Sequence, residues 1–156
     1  MSDLDELYQS VILDHDRSPR NFRELTGEGC RSAEGYNPLC GDRVRVMVKV
    51  EDGRVADVSF QGIGCAISKA SASMMTEAVR GLPVAEAEQL FETFHRDVTG
   101  TDRTEDLPKR LKVLRGVSAF PMRVKCATLA WHAMKQALAE GASPSGPANP
   151  DLSTGA

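Results

Sequence analysis

Three cysteines and one aspartate carry the strongest chemical signal in this chain. Cys40 and Asp42 form a Cys-Gly-Asp step just before a strand-like stretch. Cys65 follows Gly64 at a strand-to-helix junction, and Cys126 lies near the start of the last helix-forming segment. Three thiolates and one carboxylate suit a tetrahedral zinc ion, whose charge keeps the thiols deprotonated. Gly41 lets the backbone bend so that both of its neighbours could face one ion. A carboxylate is a weaker, more exchangeable partner in a thiolate-rich set than a fourth cysteine, which leaves room for one ligand to detach and react. The same residues also admit a plainer reading. Buried free cysteines are common in cores, Cys-x-Asp is not specific by itself, the spacings match neither zinc-finger nor ferredoxin patterns, and Cys126 falls on an apolar stripe.

The elements around these residues decide whether they can meet. Val44, Val46, Val48 and Val50 alternate with Arg43, Arg45 and Lys49, the period of a half-buried strand, with Met47 the one apolar residue on the polar side. Asp52-Gly53 supplies a tight type I′ turn, and Ala56, Val58 and Phe60 form the apolar face of a second strand. An antiparallel return places Cys40 and Cys65 at the same sheet end. Cys126 joins them if the last helix packs with its N-terminal end there. A two-stranded ribbon is marginal alone, so a third strand is expected within about Gly27 to Tyr36. Helical spacing marks Asp3 to Asp16, ended by Pro19, then Cys65 to Arg80, with Gly81 as its stop and Pro83 opening the next helix. That helix carries Val84, Ala87, Phe91 and Phe94. A polar loop, Thr99 to Thr104, precedes a short helix with Leu107, Leu111 and Leu114 that stops at Gly116. The last helix runs to about Glu140, with Cys126, Leu129, Ala130, Ala133, Met134, Ala137 and Leu138 on one face. The fold class is α+β: a small antiparallel sheet of about three strands packed against several helices. Residues 1–140 are expected to form a single domain, and the Pro-, Gly- and Ser-rich residues 141–156 a disordered tail.

Composition excludes several function classes. With 156 residues, 41% hydrophobic and 26% charged, the chain reads as one ordinary globular domain. A net charge of −3 gives no support for nucleic-acid binding. No apolar stretch approaches the ~20 residues that span a bilayer, and the acidic start, Met1 to Tyr8, is unlike a secretion signal. These features imply no membrane association and a cytoplasmic location, where four cysteines are free, metal-bound or reactive rather than paired.

Four segments together match a known pattern: Tyr8 to Asn21 (YQSVILDHDRSPRN), Asn37 to Asp42 (NPLCGD), Gly62 to Ser68 (GIGCAIS) and Arg123 to Trp131 (RVKCATLAW). In this order they resemble the SufU-type branch of the IscU/NifU family of iron–sulfur cluster assembly, over roughly residues 5–140. The long segment between Cys65 and Cys126 and the lysine, Lys125, before the third cysteine look like the SufU branch. The chain also lacks the Leu-Pro-Pro-Val-Lys chaperone-recognition motif of the scaffold branch. The resemblance implies a zinc ion held by Cys40, Asp42, Cys65 and Cys126. It implies a partner, a SufS-type pyridoxal-phosphate-dependent cysteine desulfurase, and downstream Suf scaffold proteins. It further implies that Cys40 accepts the persulfide sulfur after a desulfurase histidine replaces it on zinc. Cys40 sits on a loop beside Gly41, whereas Cys65 and Cys126 are tethered to helices and better suited to hold the metal. A scaffold that assembles a [2Fe–2S] cluster, or binds iron, on the same ligands is the alternative.

Arg123 matches a family arginine near the site and supports either the site or a surface salt bridge. Cys30 matches no ligand position and reads as a bystander thiol rather than a redox partner of Cys40. Lys125 reads as solvated, His15 as a helix-surface or docking residue, and His95 and His132 as ordinary helix residues. Trp131 lies off the main stripe, packing on the sheet or on a neighbouring helix.

Overall fold

In the computed structural model, which describes residues 3–100 and 107–139, the chain runs α1 (Asp3–Arg17), β1 (Cys30–Asn37), β2 (Asp42–Glu51), β3 (Arg54–Ile63), α2 (Ala66–Val79), α3 (Val84–Thr99), α4 (Lys109–Lys112), a 3₁₀ segment (Val113–Ala119) and α5 (Pro121–Ala139). The strands form one antiparallel sheet in the order β1-β2-β3. The expected α+β class and third strand are both present. The tail 141–156 and most of the polar loop lie outside the described residues.

The β2–β3 hairpin closes through Asp52 and Gly53, both at positive φ (53° and 75°), as a type I′ turn demands. Val44, Val46 and Val48 face the helices with Val58 and Phe60, all nearly inaccessible to solvent. Ala56 corrects the expected face of the second strand. The pairing slips between Lys49 and Val50, so that Asp57 opposes Lys49 but Val55 opposes Val50. Ala56 is the extra residue of this bulge and is exposed, while Val55 takes its place in the core. Met47, the apolar exception on the other face, is buried because the loop after α1 folds over it, and the Leu25 N–H points at its sulfur at 3.4 Å.

The N-terminal motif is a clasp between α1, α2 and β3. His15 Nδ1 and Ser73 Oγ are 2.7 Å apart, and Ser73 Oγ also accepts the Arg20 N–H. Asn21 donates its amide to Thr76 Oγ1 and accepts the Phe60 N–H at its backbone carbonyl. His15 is thus buried, at 7% exposure, rather than a surface residue. α5 packs across β1, β2 and α2. Small residues of α2 allow close approach: Ser71 donates to the Ala127 carbonyl and accepts the Trp131 indole N–H. Trp131 is fully buried and stacks on Phe94 of α3, with centroids 4.2 Å apart. The short helix does not stop at Gly116. It tightens into 3₁₀ geometry from Val113, with Gly116 inside the run and the Tyr8 ring packed beside that glycine. No helix among the described residues is long and apolar enough to cross a membrane.

Candidate metal centre

The sheet end where β1 passes to β2 and β3 passes to α2 gathers the chemistry. Asn37 and Asp42 are the last cross-strand pair of β1 and β2, so Pro38 to Gly41 form a four-residue loop. That loop lifts Cys40 to the surface, and Gly41, at φ 73°, turns the chain back. Asp42 then points inward and is completely buried. β3 ends beside it. A Cβ on Gly64 would lie 2.9 Å from Asp42 Oδ1, so only glycine lets the chain pass this close. Cys65 is the N-cap of α2. Its backbone N–H donates to Asp42 Oδ1 at 2.9 Å, and its sulfur accepts the Ser68 N–H at 3.4 Å. Cys126, on the second turn of α5, is buried at 3% exposure directly beneath the loop.

These four side chains come together, three of them tightly. The ligand atoms of Cys40, Asp42 and Cys126 lie within 4.8 Å of one another. Cys126 Sγ is 3.6 Å from Cys40 Sγ, and Cys65 Sγ is 3.9 Å from Asp42 Oδ2. Tetrahedral zinc with ~2.3 Å bonds to sulfur and ~2.0 Å bonds to oxygen sets its S···S edges near 3.8 Å and its S···O edges near 3.5 Å. The two closest separations already sit within a few tenths of an ångström of these values. Cys65 meets the cluster through Asp42 and Cys126 and would close in last.

The electrostatics fit a cation. Asp42 has no arginine, lysine or histidine against its carboxylate among the described residues, and a buried carboxylate without a counter-charge is costly. The Cys65 thiol is lowered to about 6, chiefly by a hydrogen bond from Cys126 and further by the Ser68 and Ile67 N–H groups, which outweigh its burial. Cys126 is pushed far up by its contact with Cys65, by burial and by Asp42. One negative sulfur therefore suppresses the next. A divalent cation removes that conflict, and the soft-sulfur donor set suits zinc.

Other candidates lie around this centre. The Arg123 guanidinium stacks over the Phe120 ring at 4.6 Å and stands beside Tyr8. The Tyr8 hydroxyl is buried beside Arg123, and burial raises its pKa although the Arg123 guanidinium opposes this. Cys30 opens β1 at the opposite end of the strand from Asn37. Seven strand steps make about 23 Å, which rules out a direct Cys30–Cys40 bridge. His95 stacks on Phe91, and the His132 ring meets both edge to face, with both histidine Nε2 atoms buried and unpartnered among the described residues.

Sequence reasoning missed two features. Asn37 is 1% exposed under the Cys40 loop. It accepts the Leu39 N–H at Oδ1 (3.2 Å) and directs Nδ2 at Cys126 Sγ (4.0 Å). An asparagine before Pro-x-Cys was its only sequence signal. The second is an apolar rim. Leu39 (66% exposed) and Ile63 (73%) flank Cys40 and Cys65, and Phe120 and Met122 precede Cys126. Exposed large side chains at three separate chain positions give no local periodicity to read.

Comparison with known proteins agrees with this architecture. The family described as the NifU-like N terminal domain matches residues 7–143. The chain is 39% identical over 146 residues to the iron–sulfur cluster assembly scaffold protein IscU of Streptococcus pyogenes serotype M1, covering 92% of this chain and 89% of the relative. It is also 39% identical over 140 residues to the zinc-dependent sulfurtransferase SufU of Bacillus subtilis (strain 168), covering 89% and 94%. Among solved structures, FiSufU of Fervidobacterium islandicum AW-1 superposes with a TM-score of 0.79 at 29% identity, over 85% of this chain and 97% of that one.

Proposed function

The chain belongs to the NifU-like N-terminal domain (IscU/NifU) family, and we propose that within it the protein is a cytoplasmic zinc-dependent sulfurtransferase of iron–sulfur cluster biogenesis. Cys40, Asp42, Cys65 and Cys126 hold the metal, and Cys40 accepts sulfur from the persulfide of a SufS-type cysteine desulfurase. Bound zinc keeps these thiols deprotonated at neutral pH without a protein base. The observation that carries the reading is an exposed Cys40 on a glycine-hinged loop, 3.6 Å from a buried thiol and grouped with a buried carboxylate that lacks a cation.

The transfer step is thiol exchange. The Cys40 thiolate attacks the outer sulfur of the desulfurase persulfide. A Cys40–sulfur bond forms, the desulfurase S–S bond breaks, and the desulfurase cysteine leaves as a thiolate. Access selects the acceptor: Cys126 is buried, whereas Cys40 and Cys65 are exposed. Of these two, Cys65 is fixed as a helix cap and Cys40 rides on the loop. The apolar rim of Leu39, Ile63, Phe120 and Met122 gives the desulfurase a surface to cover, which would exclude water from the exchange.

Alanine release by a SufS-type desulfurase, with and without this protein, tests the proposal. Wild-type protein should accelerate turnover, Cys40→Ala should not, and peptide mapping should place the added sulfur on Cys40. Sulfur found on Cys65 instead would overturn the acceptor assignment. The second reading, a scaffold for a [2Fe–2S] cluster, is favoured by the scaffold name of the Streptococcus relative and by a donor set that also suits iron. Anaerobic reconstitution giving a stable, transferable cluster, with no stimulation of the desulfurase, would select it.

A further inference from the structure

We infer that Asn37 is a positioning residue that straps the Cys40 loop to Cys126 and so sets the geometry of the metal and sulfur site. This inference rests on the metal-site reading above. Asn37 ends β1 opposite Asp42, and its side chain lies between the loop and α5 at 1% exposure. The Leu39 N–H can only donate, so the oxygen of the amide must face it, at 3.2 Å. That choice leaves the amide nitrogen facing Cys126 Sγ at 4.0 Å, a long contact but one from a donor to the most buried sulfur of the cluster.

Each bond has a separate consequence. The first closes a short turn over Asn37-Pro38-Leu39 and determines where Cys40 leaves the sheet. The second supplies a donor to a sulfur that must carry negative charge when it binds metal. The Asn37 amide is a polar hydrogen-bond donor directed at this sulfur from outside the ligand set. A residue of this kind is felt at the metal even though it never touches it, and loss of such contacts typically weakens metal binding about 10–100-fold.

Two variants separate the bonds. Asn37→Ala removes both. Asn37→Ser can still accept the Leu39 N–H but is too short to reach Cys126. Full-length wild type and both variants are titrated with zinc against a chromophoric chelator, and the cobalt-substituted forms are compared by absorption. Metal-free samples are alkylated with iodoacetamide, and each cysteine is followed by peptide mass. Zinc affinity should fall about 10–100-fold in Asn37→Ala and less in Asn37→Ser. Both variants should shift the sulfur-to-cobalt absorption, and Cys126 should alkylate severalfold faster in Asn37→Ala while Cys65 keeps its rate. A folded variant with wild-type zinc affinity, cobalt spectrum and Cys126 reactivity would overturn the inference, as would a lower melting temperature unaccompanied by those changes. If Asn37→Ala fails to fold, Asn37→Ser carries the same comparison. Wild-type protein that binds no zinc would instead refute the metal reading, and the alkylation rates would still decide the role of Asn37.

Discussion

Replacing Asp42 with asparagine should move stability in opposite directions with and without zinc. Asp42 is fully buried, and its clearest partner is the Cys65 N–H at 2.9 Å. The asparagine amide has the same shape and keeps an oxygen for that N–H. In metal-free protein the change removes a buried charge that lacks a counter-ion, a relief on the order of 1–3 kcal/mol. For a chain of this size ~1 kcal/mol moves the melting temperature by about 4 °C, so metal-free Asp42→Asn should melt about 4–12 °C above wild type. Zinc at 1,000 times its dissociation constant adds ~4.1 kcal/mol to the wild type. A ligand loss that weakens binding about 100-fold leaves ~1.4 kcal/mol at the same free zinc. The zinc-induced rise should therefore shrink from about 16 °C to about 6 °C. Differential scanning calorimetry at matched free zinc reads both numbers. A metal-free variant less stable than wild type, with an undiminished zinc shift, would refute the placement of Asp42 on the ion.

Acid should weaken the fold through His132. Burial, with His95 and Lys135 nearby, lowers its pKa from 6.5 to about 4. The unfolded chain therefore takes up that proton first: the stabilisation is complete above pH 6.5 and is lost as pH falls toward 4. Allowing for partial solvent screening, the loss is about 2 kcal/mol, and urea melts of His132→Phe against wild type should show it missing from the variant. Ile63→Glu places a charge on the exposed rim. Its stability should stay within about 0.5 kcal/mol of wild type while desulfurase stimulation falls; unchanged stimulation would remove the rim from the docking surface. Trp131→Ala empties the space between α5 and α3 and should cost about 3–5 kcal/mol by chemical denaturation.

The hairpin was legible in the sequence because two independent signals agreed, the valine alternation of β2 and the Asp-Gly turn. The phase of β3 was not legible, because the bulge at Ala56 exchanges an apparently inward alanine for Val55 and leaves no local mark. β1 reads CRSAEGYN, with little alternation, and its position follows from pairing with β2 rather than from its own pattern. His15 reads as a helix-surface residue along α1 and becomes buried only when Ser73 arrives from α2. The candidate site was readable at the level of residue type, since Cys40 and Cys65 had to share a sheet end once the hairpin was accepted. The approach of Asp42 to Cys65 and the amide of Asn37 over Cys126 arise from contacts between residues 23 and 89 positions apart, which no window of sequence displays.

X-ray absorption at the zinc edge of the purified protein tests the central claim most directly. Three sulfurs at about 2.3 Å and one oxygen at about 2.0–2.2 Å are expected, with one sulfur lost from the shell in Cys40→Ala. A shell of nitrogen and oxygen alone, or one unchanged by Cys40→Ala, would contradict it.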